Sequence, residues 1–211
     1  MRARAFLGPT PPLPSVLTVP LVLASASPRR RDLLARLGVD LIVAPSNISE
    51  PPMPGTEPSA LVRHLALEKA LAVAHARPSS LVLGADTVVV HNGDVLGKPA
   101  DADEARRMLR RLAAGRHCVF TGIALVHLAT QRRIVAHEAT EVCFGAMTDG
   151  EIDAYVASGS PLDKAGAYGI QDDRGALFVR RIEGDYYNVV GLPLHRLYRT
   201  LQHHFADFVA A

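Results

Sequence analysis

The amino-acid sequence predicts an α/β fold, and three observations support that prediction. Strand-like runs of aliphatic and β-branched residues alternate with helix-like segments along the 211 residues, the order expected when helices pack on a sheet. This length is enough for one substantial core or for a single domain with two lobes. No internal repeat is visible. We therefore expect residues 20–211 to form one domain.

The first strand and the first helix are predicted within residues 21–37. An apolar strand runs into Ser27, which is a good N-cap, and Pro28 fits the first helical turn, where no N–H is needed. Gly38 is suited to end this helix near Leu37. The helix is therefore expected to begin at Pro28.

The middle of the chain contains a long helix followed by a β-hairpin. A strand at 39–44 and a proline-rich loop at 45–57 lead to a helix at 58–76, in which apolar residues recur at helical spacing. Half of residues 81–90 are β-branched, and Asn92 with Gly93 is a strong signal for a tight hairpin turn. The return strand is expected to reach residues 97–99.

The last part of the chain is predicted from capping signals and periodicity. Asp101 with Glu104, and Thr148 with Glu151, have the spacing of helix capping boxes. The remaining elements are two long strands at 118–129 and 132–144, a polar loop rich in glycine at 160–171, a strand at 175–182 and a helix at 193–204.

Composition excludes several classes of protein. A net charge of +2 is too mild for a protein that binds duplex nucleic acid, and the absence of Trp argues against stacking on single strands. No apolar run reaches the roughly 20 residues of a membrane span. Prolines interrupt residues 1–19, which we interpret as a disordered extension on a cytosolic protein. Cys118 and Cys143 lack zinc-site spacing and are expected to be reduced.

Two positions have the chemistry of a ligand site. Arg29 and Arg30 follow a capped helix start, where backbone donors and the helix dipole favour an anion. The alternative interpretation is that these arginines form a basic helix face that is exposed to solvent and binds no ligand. Asp86 lies inside an apolar strand, where a carboxylate is costly to bury unless it meets a metal, a cation or a substrate.

Five ordered motifs resemble the Maf family of nucleoside triphosphate pyrophosphatases. They are SASPRR at 25–30, EKA at 68–70, GADT at 84–87, GKP at 97–99 and DKAGAYGIQ at 163–171. The resemblance implies a two-lobed mixed-sheet fold similar to inosine triphosphate pyrophosphatases, with the substrate cleft between the lobes. It also implies cleavage between the α- and β-phosphates, giving a monophosphate and pyrophosphate, with a divalent metal cation (Mg, Mn or Co).

At three positions the sequence resembles the branch of this family that hydrolyses dTTP and UTP. These are Arg30, Thr87 and Gln171. Two positions depart from the common family pattern, because Ser49 stands where an acid is common and Asp172 where glycine is frequent. The first departure bears on metal affinity, and the second bears on loop geometry.

The resemblance implies a role for each candidate residue. Asp86 is expected either to activate water or to ligate the metal, with Glu50 as the further metal ligand. Lys164 either reaches phosphate or pairs with Asp163. Gln171 and Thr87 offer donors and acceptors for a uracil-type edge. The substrate-binding residues are expected to be Ser25, Arg29, Arg30, Lys69, Thr87, Lys98, Lys164 and Gln171.

The alternative is a non-catalytic nucleotide sensor that regulates cell division. Asp86 discriminates between the two, because a sensor has no need for a carboxylate beside a triphosphate. In either case the expected partner is a nucleoside triphosphate in the cytoplasm, with no nucleic acid and no membrane, and a homodimer is compatible with the resemblance.

Overall fold

The computed structural model describes residues 17–49, 53, 55–172 and 174–209. Within them, seven strands form one mixed sheet with helices on both faces, which confirms the predicted α/β class. The strands are β1 Leu21–Leu23, β2 Leu41–Val43, β3 Leu81–His91, β4 Asp94–Leu96, β5 Arg116–His127, β6 Arg132–Phe144 and β7 Val179–Glu183. The α-helices are α1 Pro28–Arg36, α2 Pro58–Ala74, α3 Ala102–Leu112, α4 Asp149–Ala157, α5 Gly175–Phe178, α6 Tyr186–Val190 and α7 Leu194–His204.

The sheet combines a parallel half with an antiparallel half. The strand order is β2-β1-β3-β5-β6-β7, and β4 also pairs with β3. The β1–β2 and β1–β3 pairs are parallel, whereas β3, β5, β6 and β7 pair with one another in antiparallel fashion. Strand β3 therefore lies at the junction of the two halves.

One edge of β3 opens in the middle of the strand. Strand β1 pairs with residues 81–83, and β4 pairs with residues 89–91. Both lie on the edge opposite β5, because β5 already pairs with residues 82–90 along the other edge. Within the described chain, no strand covers residues 84–88 on this side. Asp86 is at the centre of the opening.

Helix α2 packs directly on the sheet at two glycines. A Cβ atom added to Gly84 would lie 2.1 Å from the carbonyl oxygen of Ala66, and one added to Gly122 would lie 2.1 Å from that of Val62. Backbone atoms cannot yield to such contacts, so only glycine permits this approach. The close packing brings the α2 backbone near the strand that carries Asp86.

The two faces of the sheet bury two separate cores. Alternate residues of a strand point to opposite faces: Val22 and Val82 belong to the smaller core under α2, whereas Leu23 and Leu83 belong to the larger core. The larger core includes residues of α1, α3, α4 and α7. The uncovered edge of β3 at residues 84–88 thus lies between the two cores.

Most predicted element starts are confirmed. Ser27 and Asp101 accept hydrogen bonds from the backbone N–H groups of Arg30 and Glu104, and Thr148 forms a full capping box. Asn92 and Gly93 have φ of 51° and 86°, as a tight hairpin turn requires. The sequence alone was sufficient to predict these helix starts and this turn, because each signal involves residues within a few positions of one another.

The region after residue 174 differs from the prediction. The expected strand at 175–182 begins with a helical turn, α5, and becomes a strand only at Val179. A Cβ atom on Gly175 would lie 2.4 Å from the carbonyl oxygen of Gly169. Tertiary packing therefore sets this backbone, and an apolar run alone does not distinguish the two structures. The short helix α6 was not predicted.

Part of the expected N-terminal extension is paired. Leu17 forms an isolated bridge with Val209, and the backbone N–H of Thr18 donates to the carbonyl of Phe208 at 2.8 Å. Residues 1–16, to which the rest of that prediction applies, lie outside the described residues. In the part of the chain that the structure describes, no helix has the length and apolar character needed to cross a bilayer.

Candidate active site

A cavity of about 660 Å³ lies at the open edge of β3. Residues 24–30 form one wall, residues 163–165 and 168–171 form another, and residues 86–89 and 189–191 also contribute. This volume is in the usual range for a small-molecule site. It contains every described residue of the predicted site: Ser25, Arg29, Arg30, Lys69, Asp86, Thr87, Lys98, Lys164 and Gln171. Glu50 lies outside the described residues.

Asp86 and Lys69 form a buried ion pair at the bottom of the opening. Nζ of Lys69 donates to Oδ1 of Asp86 at 2.7 Å, and the two side chains are 12% and 11% exposed. Pairing offsets the cost of burying each charge. No hydrogen bond from the described residues reaches Oδ2 of Asp86, so this oxygen can accept a bond from water or coordinate a cation.

Arg30 is buried and connects three segments around the cavity. Its Nε donates to the carbonyl of Gly191 at 2.8 Å, and its Nη1 donates to Oγ of Ser25 at 3.1 Å and to the carbonyl of Ala85 at 3.0 Å. Nη2 donates to Oγ1 of Thr87 at 2.9 Å. The Ala85 carbonyl lies on the uncovered stretch of β3. The guanidinium thus donates the hydrogen bond that a neighbouring strand would otherwise give to this carbonyl.

Thr87 belongs to a chain of hydroxyl and amide groups on the face of β3 opposite Asp86. Its Oγ1 lies 2.9 Å from Oγ1 of Thr121, which donates to the carbonyl of Asn188 at 3.1 Å. Nδ2 of Asn188 in turn donates to the carbonyl of Val119 at 2.9 Å. Protein partners therefore fix the position of the Thr87 hydroxyl.

Arg29 and Lys164 share one carboxylate, that of Asp163. Nη1 of Arg29 lies 2.7 Å from Oδ2 of Asp163, and Nζ of Lys164 lies 2.7 Å from Oδ1. Burial opposes ionisation of Asp163, but the hydrogen bonds from Lys164 and Arg29 outweigh it and hold the pKa of the carboxyl below its usual value. Of the two alternatives for Lys164, the ion pair is present. A phosphate must compete with Asp163 for both cations.

Ser25 and Lys98 line the same cavity with a hydroxyl and an ammonium group, both of which are suited to contact an anion. Oγ of Ser25 accepts from the backbone N–H of Ser27 at 3.2 Å, directly before α1. Lys98 lies across the cavity, and no ion pair within the described residues involves its ammonium group. An anionic ligand can therefore bind Lys98 without displacing a described carboxylate from it.

The donor set fits a cation that arrives with a triphosphate. The described carboxylates of the cavity are Asp86 and Asp163, and no cluster of three or more metal-ligating side chains occurs within the described residues. Asp163 is occupied by two cationic side chains, so among the described residues of the cavity Oδ2 of Asp86 is the carboxylate oxygen available to a cation. Mg²⁺ is commonly bound by one or two carboxylates together with substrate phosphates, and the residues present suit that arrangement.

Several cavity groups were not predicted. Ser46, Tyr168 and Gly191 line the cavity, and the buried Asn188 supports it through Thr121. Gly191 contributes a backbone carbonyl to Arg30. A backbone carbonyl has no signature in the sequence, so side-chain patterns could not have revealed this contact. Tyr168 lies within the motif at 163–171, and its place in that motif is the sequence signal that could have identified it.

Comparison with known proteins agrees with the motif resemblance. A family model described as Maf-like protein matches residues 20–204. The chain belongs to the Maf family. The match covers all seven strands and all five Maf motifs, and it extends through α7.

Curated Maf relatives are similar over nearly their whole length. A protein of Salinibacter ruber is 57% identical over 92% of this chain and 96% of the relative. A protein of Moorella thermoacetica is 56% identical over 82% of this chain and 89% of the relative. A protein of Bacillus cereus is 46% identical over 90% of this chain and 98% of the relative. All three are named dTTP/UTP pyrophosphatase.

Among solved structures, the Ham1 protein of Staphylococcus aureus aligns with this Maf chain at 13% identity and a TM-score of 0.46. The alignment covers 86% of this chain and 97% of the Ham1 chain.

Proposed function

We propose that this protein hydrolyses dTTP and UTP to the corresponding monophosphate and pyrophosphate. The observation that carries the proposal is the position of Asp86, which holds a carboxylate oxygen at the open edge of β3 in a cavity lined by Arg29, Lys98 and Lys164. Three Maf relatives named dTTP/UTP pyrophosphatase support the choice of substrates.

The chemistry divides between the two ends of the triphosphate. Oδ2 of Asp86 orients a water and accepts its proton as the water attacks the α-phosphate, while Lys69 holds Oδ1. Arg29, Lys98 and the amino end of α1 stabilise the negative charge that develops on pyrophosphate. In the alternative role, Oδ2 of Asp86 would instead hold a divalent cation together with Glu50, and the cation would neutralise charge on the phosphate oxygens.

Base selection is assigned to Gln171. Its side-chain amide offers both a donor and an acceptor, the combination that complements the alternating groups of uracil or thymine. Gln171 lines the cavity beside Gly169 and Ile170. Thr87 contributes indirectly, because its hydroxyl is engaged by Arg30 and shapes the same cavity.

The test is pyrophosphate release from dTTP, UTP, CTP, ATP and GTP, each with Mg²⁺, Mn²⁺ or Co²⁺ and with a chelator as control. We expect preferred hydrolysis of dTTP and UTP, production of pyrophosphate rather than phosphate, and loss of turnover with the chelator. Equal efficiency on UTP and GTP would contradict the proposed substrates. Tight nucleotide binding without turnover under all metal conditions would support the sensor. A homodimer and a cytoplasmic location remain predictions.

A further inference from the structure

Asp172, directly after Gln171, has a carboxylate with three side-chain partners. Oδ2 accepts a hydrogen bond from Oη of Tyr155 at 2.9 Å and one from Oγ of Ser160 at 2.6 Å. Nζ of Lys164 lies 3.3 Å from the same oxygen, and the Asp172 side chain is 18% exposed. The carboxylate therefore links the turn that carries Gln171 to α4 and to the segment that follows it.

The backbone of this turn is held at both ends. The N–H of Asp172 donates to the carbonyl of Gly169 at 3.2 Å, and the N–H of Ala176 donates to the carbonyl of Asp172 at 2.9 Å. The N–H of Gly169 donates to Oη of Tyr155 at 3.1 Å. Tyr155 thus binds the turn twice, once through the backbone and once through the Asp172 carboxylate.

The packing leaves little room for another arrangement. A Cβ atom on Gly169 would lie 2.6 Å from Oδ2 of Asp172, and one on Gly175 would lie 2.7 Å from Oη of Tyr155. Real Cβ atoms do not approach other atoms so closely. The turn therefore depends on glycine at both positions.

The same network continues to the phosphate side of the cavity. Lys164 contacts Asp172 at 3.3 Å and Asp163 at 2.7 Å, and Asp163 contacts Arg29 at 2.7 Å. Alternating charges thus run from the wall formed by α1 to the turn beside Gln171. Asp172 is the end of this chain that lies next to the base-reading side chain.

We propose that Asp172 is a positioning residue for base selection: its carboxylate, held by Tyr155, Ser160 and Lys164, fixes the 169–172 turn so that Gln171 presents one orientation of its amide. The inference rests on the proposed function in that Gln171 reads the base. The side chain does not act on the substrate itself. It acts by restricting the turn.

The test compares Asp172→Asn and Tyr155→Phe with the parent, using kcat and KM for UTP, dTTP, CTP and GTP. Asparagine keeps the size of the side chain, but its amide replaces one acceptor oxygen with donors. Losing a hydrogen bond from a buried network shifts the equilibrium between the ordered turn and other arrangements by roughly fivefold or more. We expect the preference for UTP over CTP to fall by about that factor through a higher KM for UTP, with a smaller change in kcat.

A matched control is Asp207→Asn, which removes a carboxylate paired with Arg132 outside the cavity. It should leave the substrate ranking unchanged. Asp172→Glu retains the carboxylate and should keep more of the preference than Asp172→Asn. Should either main variant fail to fold, Ser160→Ala removes a single donor to Asp172 and replaces it in the comparison.

The outcomes separate this inference from the proposed function. A parent enzyme that does not prefer dTTP and UTP contradicts the proposed function before any variant is measured. A selective parent with unchanged ranking in Asp172→Asn, Tyr155→Phe and Ser160→Ala overturns the positioning role. An equal loss of kcat/KM on all four triphosphates in folded variants also overturns it, since that pattern indicates a general structural effect.

Discussion

Nζ of Lys69 lies 2.7 Å from Oδ1 of Asp86, and the two side chains are 12% and 11% exposed. The two residues come from α2 and β3, and they meet because Gly84 lets the helix backbone rest on the strand. The pair places one carboxylate oxygen against a cation and leaves the other facing the cavity. Helix packing and the proposed role of Asp86 in catalysis or metal binding therefore depend on the same contact.

Asp86→Asn should lower kcat by roughly 100-fold or more, the scale of losing a general base. The fold should persist, because asparagine is nearly isosteric and can still accept a hydrogen bond from Lys69. Pyrophosphate release at saturating UTP measures the effect. Near-parental turnover would remove Asp86 from the mechanism, whereas a loss that excess metal restores would identify it as a ligand. Asp94→Asn, which alters an exposed ion pair with Arg111, serves as the control.

Gly84→Ala should destabilise the protein by about 1–3 kcal/mol or more, because the new Cβ would lie 2.1 Å from a backbone oxygen of α2. Moving α2 away from β3 should also separate Lys69 from Asp86 and reduce turnover. Urea unfolding measures the first effect. Gly150→Ala is the matched control, since nothing lies within 4 Å of its added Cβ, and it should be neutral or stabilising. Equal stability of the two variants would contradict direct packing of α2.

Lys98→Ala should reduce kcat/KM for every triphosphate by a similar factor of roughly 10 or more, because phosphates are common to all of them. Arg29→Ala should act in the same direction, but less strongly, because Asp163 already engages that guanidinium at 2.7 Å. The measurement is kcat/KM over the nucleotide panel. Arg181→Ala, which removes an exposed partner of Glu183, is the control. A loss of kcat/KM confined to nucleotides with one base would contradict a role of Lys98 in binding phosphate.

Gln171→Glu should reduce the preference for UTP over CTP by about 5- to 150-fold. A carboxylate lacks the amide donor, and an unmet buried polar group costs about 1–3 kcal/mol. Competition between UTP and CTP in one reaction reports the ratio directly. Gln202→Glu on α7 lies outside the cavity-lining set and provides a control of the same chemistry. An unaltered ratio would show that Gln171 does not read the base.

Stability should fall below pH 6.5 in part because of His117. Burial, with a smaller contribution from the charge of His91, lowers the pKa of His117 from 6.5 to about 4. Between these values the unfolded chain binds a proton that the folded chain does not, so the free energy of unfolding decreases as pH falls. The full contribution is of the order of 3 kcal/mol.

The effect can be measured by urea unfolding at pH 7 and pH 5. His117→Gln should show a smaller loss of stability between the two pH values than the parent. Glutamine can still meet Oη of Tyr168, which lies 2.8 Å from Nε2 of His117. His195→Gln, a replacement of the same chemistry at an exposed position, is measured beside it for comparison. An identical pH dependence in His117→Gln would refute the assignment.

The sequence by itself determined the features that depend on neighbouring residues. Ser27, Asp101 and Thr148 begin helices because each side chain bonds a backbone N–H three positions later. The turn at Asn92 follows from local backbone preferences. The family motifs also contain nine predicted site residues within the described chain, and all nine line the cavity.

Only the tertiary structure decided how those residues are engaged. Arg30 bonds Gly191, which lies 161 positions later and contributes only a carbonyl. The residue pattern of β3 likewise does not show that β1 and β4 leave the middle of its edge uncovered. Local hydrogen bonds join groups at a fixed separation along the chain, so their sequence signals recur. Contacts between distant segments depend on how the layers pack, and backbone carbonyls are common to every residue.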